Sequence, residues 1–214
     1  MPYRTLNWHL IWDFDGTLYN TYPRMVQELQ TALATFGKNA EPERILALIK
    51  QTLYYGISVL ASENGLDTDM LMAAFRREHE RRLHFTPMPG LSECLAQTAA
   101  LGCRHYLFTH RDHAAIEQLE TDALLPLFTD TVTREQGFAD KPAPDAILHL
   151  MRKHSFSPEN AVMIGDRDID ILSGAAAGVR GILLDPEGFY PDLAVTWRVR
   201  SLPEIIGLLS AQSA

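Results

Sequence analysis

The chain has 214 residues, of which 46% are hydrophobic and 21% charged, with a formal net charge of −8. That length holds one domain with a sizeable insertion or two small ones, and the composition is that of a soluble globular protein. A net negative balance without a basic run excludes nucleic-acid binding by phosphate neutralisation.

The first predicted strand is carried by Trp8, Leu10, Ile11 and Trp12, which lead into Asp13-Phe14-Asp15-Gly16-Thr17. Only one cation, Arg4, precedes this short apolar run, and the run ends on two aspartates, so it does not read as a signal peptide. No segment reaches the ~20 apolar residues of a membrane span. Residues two apart on a strand point the same way, so Asp13 and Asp15 are expected to face one pocket, where a divalent cation would let both stay ionised.

Residues 19–86 show helical periodicity only. Met25, Val26, Leu29, Leu33 and Phe36 form one stripe, ended by Gly37; Ile45, Leu46, Ile49 and Leu53 form a second; Leu71, Met72, Phe75, His79 and Leu83 form a third. Tyr54 to Ser58, with Gly56 at its centre, reads as a break in the helical pattern, either a specificity loop or a plain helix–helix turn. Arg76-Arg77 and Arg81-Arg82, interleaved with Glu78 and Glu80, read as a solvated helix face. Tyr19 to Tyr22 is the outgoing linker of this segment, and Phe85 to Gly90 the return.

Beyond it, helices are predicted over 89–101, with Gly102 just past the end, 112–125, 142–154, 168–177 and 203–209. Strands are predicted over 104–109, 161–165 and 181–184, with weaker patterns at 130–133 and 195–199. Short apolar runs alternating with helices point to a parallel sheet covered by helices, interrupted after its first strand by an all-helical insertion. Cys94 and Cys103 lack metal spacing and read as free thiols in a reduced, cytoplasmic setting.

Four motifs fall at or near predicted strand ends: Asp13-x-Asp15-Gly16-Thr17; Thr109-His110-Arg111; Lys141-Pro142; and Gly165-Asp166-Arg167-Asp168-Ile169-Asp170. In open parallel sheets, ligands bind beyond the carboxyl ends of the strands, so these residues converge on one crevice. Asp13, Asp15 and Asp166 are hard oxygen ligands of the kind Mg²⁺ prefers. A carboxylate can attack phosphorus, and a second can protonate a leaving oxygen and then activate water. A lysine and a hydroxyl can hold phosphate oxygens. His110 and His113 lack a carboxylate pattern that would make them a zinc site, and Asp168 reads as a helix N-cap.

In this order and with these gaps, the four motifs resemble the haloacid dehalogenase superfamily, most closely its phosphatase branch with a helical cap inserted after the first motif, as in phosphoglycolate phosphatase and β-phosphoglucomutase. The resemblance covers nearly the whole chain. It implies an α/β fold: a Rossmann-like parallel sheet with helices on both faces, formed by 1–18 and 87–214, plus a helical cap over 19–86. It implies a cytoplasmic Mg²⁺-dependent phosphatase, monomer or homodimer, that hydrolyses a small phosphorylated metabolite through an aspartyl phosphate. Asp13 matches the nucleophile and a metal ligand. Asp15 matches the general acid/base, which gives the metal its backbone carbonyl. Thr109 and Lys141 match the phosphate-binding residues, Asp166 the metal ligand of the fourth motif, and Asp170 an acidic residue behind the ligands.

Two positions depart from the family pattern. Asn or a small residue usually follows the second-motif Thr; here His110 and Arg111 do. His110 keeps the backbone N–H used there, while Arg111 is expected either to touch a substrate anion or to pair with Asp112 at the surface. Asn20-Thr21 replaces the usual Asp-Ser after the first motif. A sugar phosphomutase shares all four motifs and is the alternative; a non-catalytic binding or regulatory protein is a further one, for which the nucleophile has no use. Dehalogenases lack the second aspartate of DxD, and phosphonate-cleaving members replace it and use a cap lysine. The physiological substrate is set in the cap, whose stripes report packing.

Overall fold

A computed structural model of the chain describes residues 6–79 and 85–211. β1 (His9–Trp12) is followed by α1 (Tyr22–Ala34), α2 (Pro42–Ile49), α3 (Leu53–Asn64) and α4 (Thr68–His79). Then come α5 (Leu91–Ala100), β2 (Arg104–Phe108), α6 (Ala114–Thr121), β3 (Phe128–Val132), α7 (Asp145–His154) and β4 (Ala161–Gly165). α8 (Asp168–Ala176), β5 (Arg180–Leu184), β6 (Trp197–Val199) and α9 (Leu202–Ala211) complete the described chain. It divides into two compact units, Met1–Tyr19 with Pro87–Ala214, and Asn20–Thr86.

In the first unit six strands form one parallel sheet in the order β3-β2-β1-β4-β5-β6. Leu10, Ile11, Trp12, Val162, Met163 and Ile164 are fully buried, which is why β1 and β4 read as continuous apolar runs rather than alternations. Their side chains split between two layers. His105 reaches toward α5, where Nε2 lies 3.2 Å from the Leu95 carbonyl, and Cys94 Sγ of α5 donates to the Leu202 carbonyl of α9 at 3.4 Å. On the opposite face Ile11, Tyr106 and Met163 pack with Ala146, Ile147 and Leu150 of α7, and α8 closes on Met163 at Gly174. The fold is therefore the expected α/β core with helices on both faces. Both cysteines are free and buried.

The chain lays down β1, β2 and β3 toward one edge, then returns past β1 for β4, β5 and β6. The order reverses between β1 and β4, and such a reversal opens a crevice at the strands' carboxyl ends. Trp12 lies opposite Leu107 on one side and Ile164 on the other, so Asp13, Thr109 and Asp166 all leave the sheet at its carboxyl end.

The second unit holds helices and no strand among its described residues. Leu29, Leu33, Ile45, Ile49, Ile57, Leu60, Leu71 and Phe75 from α1 to α4 share one core. Here the expected break at Tyr54–Ser58 is corrected: these residues lie inside α3. Thr52 caps the helix by accepting the Tyr55 N–H at 3.0 Å, and Gly56 is there for proximity, since a Cβ would meet Ile49 Cγ2 at 2.8 Å. Leu53 accordingly opens α3 rather than closing the second stripe. Leu83, Glu80 and Arg81-Arg82 lie outside the described residues. Among the described residues no helix is long and apolar enough to cross a membrane.

Elsewhere only element ends differ. The helix expected over 112–125 stops at Thr121, because Ala123 takes a left-handed φ of 56° and the Leu124 N–H turns back to the Leu119 carbonyl. The helix expected from Pro142 starts at Asp145.

Candidate active site

The chain turns sharply after β1. The Asp13 N–H donates to the Ile164 carbonyl of β4 at 2.9 Å, and the Phe14 carbonyl accepts from Leu18 and Tyr19. Gly16 has φ 78°, a conformation a side chain would strain, and its N–H closes the turn on the Tyr19 carbonyl at 2.7 Å. The two aspartates then part. Asp13 is buried and held by Lys141; the Asp15 side chain, 22% exposed, is held by Arg111.

Lys141 Nζ donates to Asp13 Oδ1 at 2.6 Å and to Asp170 Oδ1 at 2.7 Å, and lies 4.6 Å from the centre of the Phe108 ring. All three charged groups are buried, and two carboxylates share one ammonium. Burial first, then the charge of Asp170, push the Asp13 carboxyl up to about 7 against the pull of Lys141. Burial works against Asp170 too, but Lys141 and Arg167 outweigh it and hold that group below the ordinary carboxylate range. Burial would lower Lys141, yet Asp13 and then Asp170 keep it above its ordinary value. Asp170 has a second donor besides the lysine, since its Oδ2 accepts the Arg167 N–H at 3.1 Å, capping α8 from its third position.

Gly165 makes this approach possible. A Cβ there would fall well inside 3.0 Å of Cβ and Cγ of Asp170. Asp166, also buried, accepts from the buried Thr17 hydroxyl at 3.4 Å. Asp168 is the first residue of α8, with Arg167 at the cap position, one residue from the expected N-cap.

Thr109 N–H continues the sheet by donating to the Val132 carbonyl at 2.9 Å, and Thr109 Oγ1 accepts the Arg111 N–H at 3.0 Å. His110 Nε2 accepts the Lys141 N–H at 2.8 Å, so its proton sits on Nδ1; burial, then the charge of Lys141, lowers its pKa to about 4. The ring therefore braces the backbone that presents Lys141. Of the two expectations for Arg111, the pairing with Asp112 is replaced by one with Asp15: Nη2 to Oδ1 at 2.6 Å and Nε to Oδ2 at 3.2 Å. The Asp112 carboxylate instead accepts the Ala114 N–H.

One carboxylate oxygen each from Asp13, Asp166 and Asp170 lie within 4.8 Å of one another, the one such acidic or His/Cys cluster among the described residues. Asp13 Oδ2 is buried and has no hydrogen-bond partner, an arrangement that costs free energy unless something else satisfies the oxygen. Buried carboxylate oxygens of Asp13 and Asp166, so close together, fit a hard divalent cation. Of the residues singled out in the sequence, the structure brings Asp13, Lys141, Asp166 and Asp170 together, and links Asp15 and Thr109 through Arg111. Sequence reasoning missed Thr17 and Gly165, though both stand inside the motifs, and it missed the partners of His110 and Arg111, which no local pattern encodes.

The sequence model of the haloacid dehalogenase-like hydrolases matches residues 10–184. Phosphoglycolate phosphatase 1 of Pseudomonas aeruginosa is 25% identical over 80% of this chain and 66% of its own length. Pyrophosphatase PpaX of Bacillus pumilus is 29% identical over 80% of each chain. The crystal structure of a hydrolase from Streptococcus pneumoniae TIGR4 superposes with a TM-score of 0.64 at 30% identity, covering 82% of this chain and 91% of that one. By motif order, by fold and by these matches, the chain belongs to the haloacid dehalogenase-like hydrolases.

Proposed function

We propose that this chain is a phosphoric monoester hydrolase, a Mg²⁺-dependent phosphatase acting on a small phosphorylated metabolite through an aspartyl phosphate. The observation that carries the reading is Asp13: a buried carboxylate at the carboxyl end of the sheet, with one oxygen fixed by Lys141 and the other without a hydrogen-bond partner. That second oxygen is the nucleophile. It attacks phosphorus, and the P–O bond to the alcohol breaks with its electron pair leaving on oxygen. Asp15 supplies the proton to that oxygen and later takes one from the water that hydrolyses the acyl phosphate, freeing Asp13 and phosphate. The Thr109 hydroxyl and the Lys141 ammonium hold the transferred group and offset its charge.

Asp13, Asp166 and the Asp15 carbonyl would hold Mg²⁺, with Asp170 behind them because both its oxygens already serve Lys141 and Arg167. When bound, the ion neutralises carboxylates and phosphate oxygens together. The unit Asn20–Thr86 serves as the cap that selects small substrates and excludes water. No basic run suits nucleic acid, and the reading is of a cytoplasmic metabolic enzyme.

A phosphate-release screen over small phosphomonoesters with Mg²⁺ tests this, with 2-phosphoglycolate first and the anhydride pyrophosphate run beside the esters, because relatives carry those names. Wild type should release phosphate from at least one compound, and Asp13→Asn should lower the rate by about 10³-fold or more. Silence across the panel, or unchanged turnover in Asp13→Asn, overturns the assignment. Turnover that needs a bisphosphorylated sugar and frees little phosphate would mark a mutase instead.

A further inference from the structure

We propose that Arg111 is a positioning residue for Asp15 in leaving-group protonation, an inference that rests on the phosphatase reading above. Asp15 is a short side chain on a glycine turn, and one rotation about its side-chain bonds would turn it from its work. Arg111 grips both of its oxygens, Nη2 on Oδ1 at 2.6 Å and Nε on Oδ2 at 3.2 Å, across 96 residues of sequence. Such a fork fixes the plane of a carboxyl group as well as its place, which a lysine's point charge does not, and it takes one lone pair of each oxygen, leaving the other for the proton that passes to the leaving group.

The guanidinium is itself anchored. Its Cζ lies 5.5 Å from the centre of the Phe14 ring, next to Asp15 in the same turn. The Arg111 N–H donates to Thr109 Oγ1 at 3.0 Å, and its carbonyl accepts the Arg134 N–H at 3.0 Å. Its side chain is 10% exposed, so the pair is shielded from most of the solvent that weakens surface ion pairs. Arg111 thereby ties the proton donor of the first motif to the phosphate-holding threonine of the second. A misplacement of about 1 Å at a reacting group costs about 10²-fold in rate, so this bracing bears on chemistry rather than on substrate binding.

The consequence is selective. An alkyl leaving group must receive a proton as it departs; a nitrophenolate leaves without one. The ratio kcat/KM reports the steps up to departure of the alcohol, before water enters. The test compares wild type, Arg111→Lys and Arg111→Met on two substrates with Mg²⁺, an alkyl phosphomonoester and p-nitrophenyl phosphate. Urea unfolding of Arg111→Met, Asp15→Asn and the double variant runs beside it. Arg111→Met should lower kcat/KM for the alkyl ester by about 30-fold or more, and for the aryl ester by less than about fivefold. Arg111→Lys, which keeps the charge and loses the fork, should fall between. The unfolding constants should be non-additive by about fivefold or more.

Equal losses on both substrates, a rise in KM alone, or additive unfolding would each overturn the positioning role while leaving the phosphatase intact. Absence of phosphate release by wild type, or full activity in Asp13→Asn, is a different result: it removes the enzymatic reading and this inference with it.

Discussion

Gly165 has no side chain and yet shapes the site, because the space a Cβ would need is filled by Asp170. Gly165→Ala should push Asp170 away from Lys141, cost about 1–3 kcal/mol of stability and lower phosphate release about tenfold or more, measured by urea unfolding and steady-state assay. The sequence showed Gly165 at the head of its motif but not what it must avoid. His105 is a second residue whose role lies in its surroundings. It is fully buried on β2, accepts the Trp12 indole N–H at 3.0 Å, and has Nε2 against the Leu95 carbonyl. Burial lowers its pKa to about 4. The unfolded chain, with an ordinary histidine near 6.5, binds a proton that the folded chain refuses. Stability from His105 is therefore complete above 6.5 and is lost as pH falls toward 4, by about 2 kcal/mol at pH 5. Urea midpoints at pH 7 and pH 5 should separate more for wild type than for His105→Gln, which has no such proton to gain.

Among elements, α3 and α9 show that one substitution can carry opposite signs. Alanine normally improves a helix over glycine. In α9 Gly207 is exposed and a Cβ there would meet nothing within 4 Å, so Gly207→Ala should stabilise by about 0.5–1 kcal/mol. In α3 a Cβ at Gly56 would meet the Ile49 side chain at 2.8 Å and its backbone N at 3.0 Å, so Gly56→Ala should destabilise by about 1–3 kcal/mol. Equilibrium unfolding of the two variants beside wild type checks the signs. The same fact explains the misreading of α3: Gly56 flanked by tyrosines resembles a break when only propensity is weighed, and becomes a packing contact once α2 lies against it. By contrast β1 and β4 were legible because strands buried on both faces must be apolar throughout.

For the whole molecule, the strand order decides what the motifs mean. Residues 13, 109, 141 and 166 are far apart in sequence, and the reversal between β1 and β4 brings the strand-end ones together at the sheet's carboxyl end. If Asp13 and Asp166 hold a divalent ion, Mg²⁺ binds the folded chain alone. At about 100 times its dissociation constant it should add about 2.7 kcal/mol, or about 5–10 °C in Tm. Asp166→Asn should abolish most of that shift in a thermal melt with and without Mg²⁺. The sequence by itself determined the α/β class, the helical stripes of the insertion, the four motifs and the chemical type of each candidate site residue, because apolar periodicity and motif spacing are local properties of the chain. Only the tertiary structure decided the partners: Lys141 between Asp13 and Asp170, His110 beneath Lys141, Arg111 on Asp15, and the glycines that let them approach. Those pairings join residues from separate loops, and a charge finds its partner through the packing of the sheet, which no stretch of sequence records.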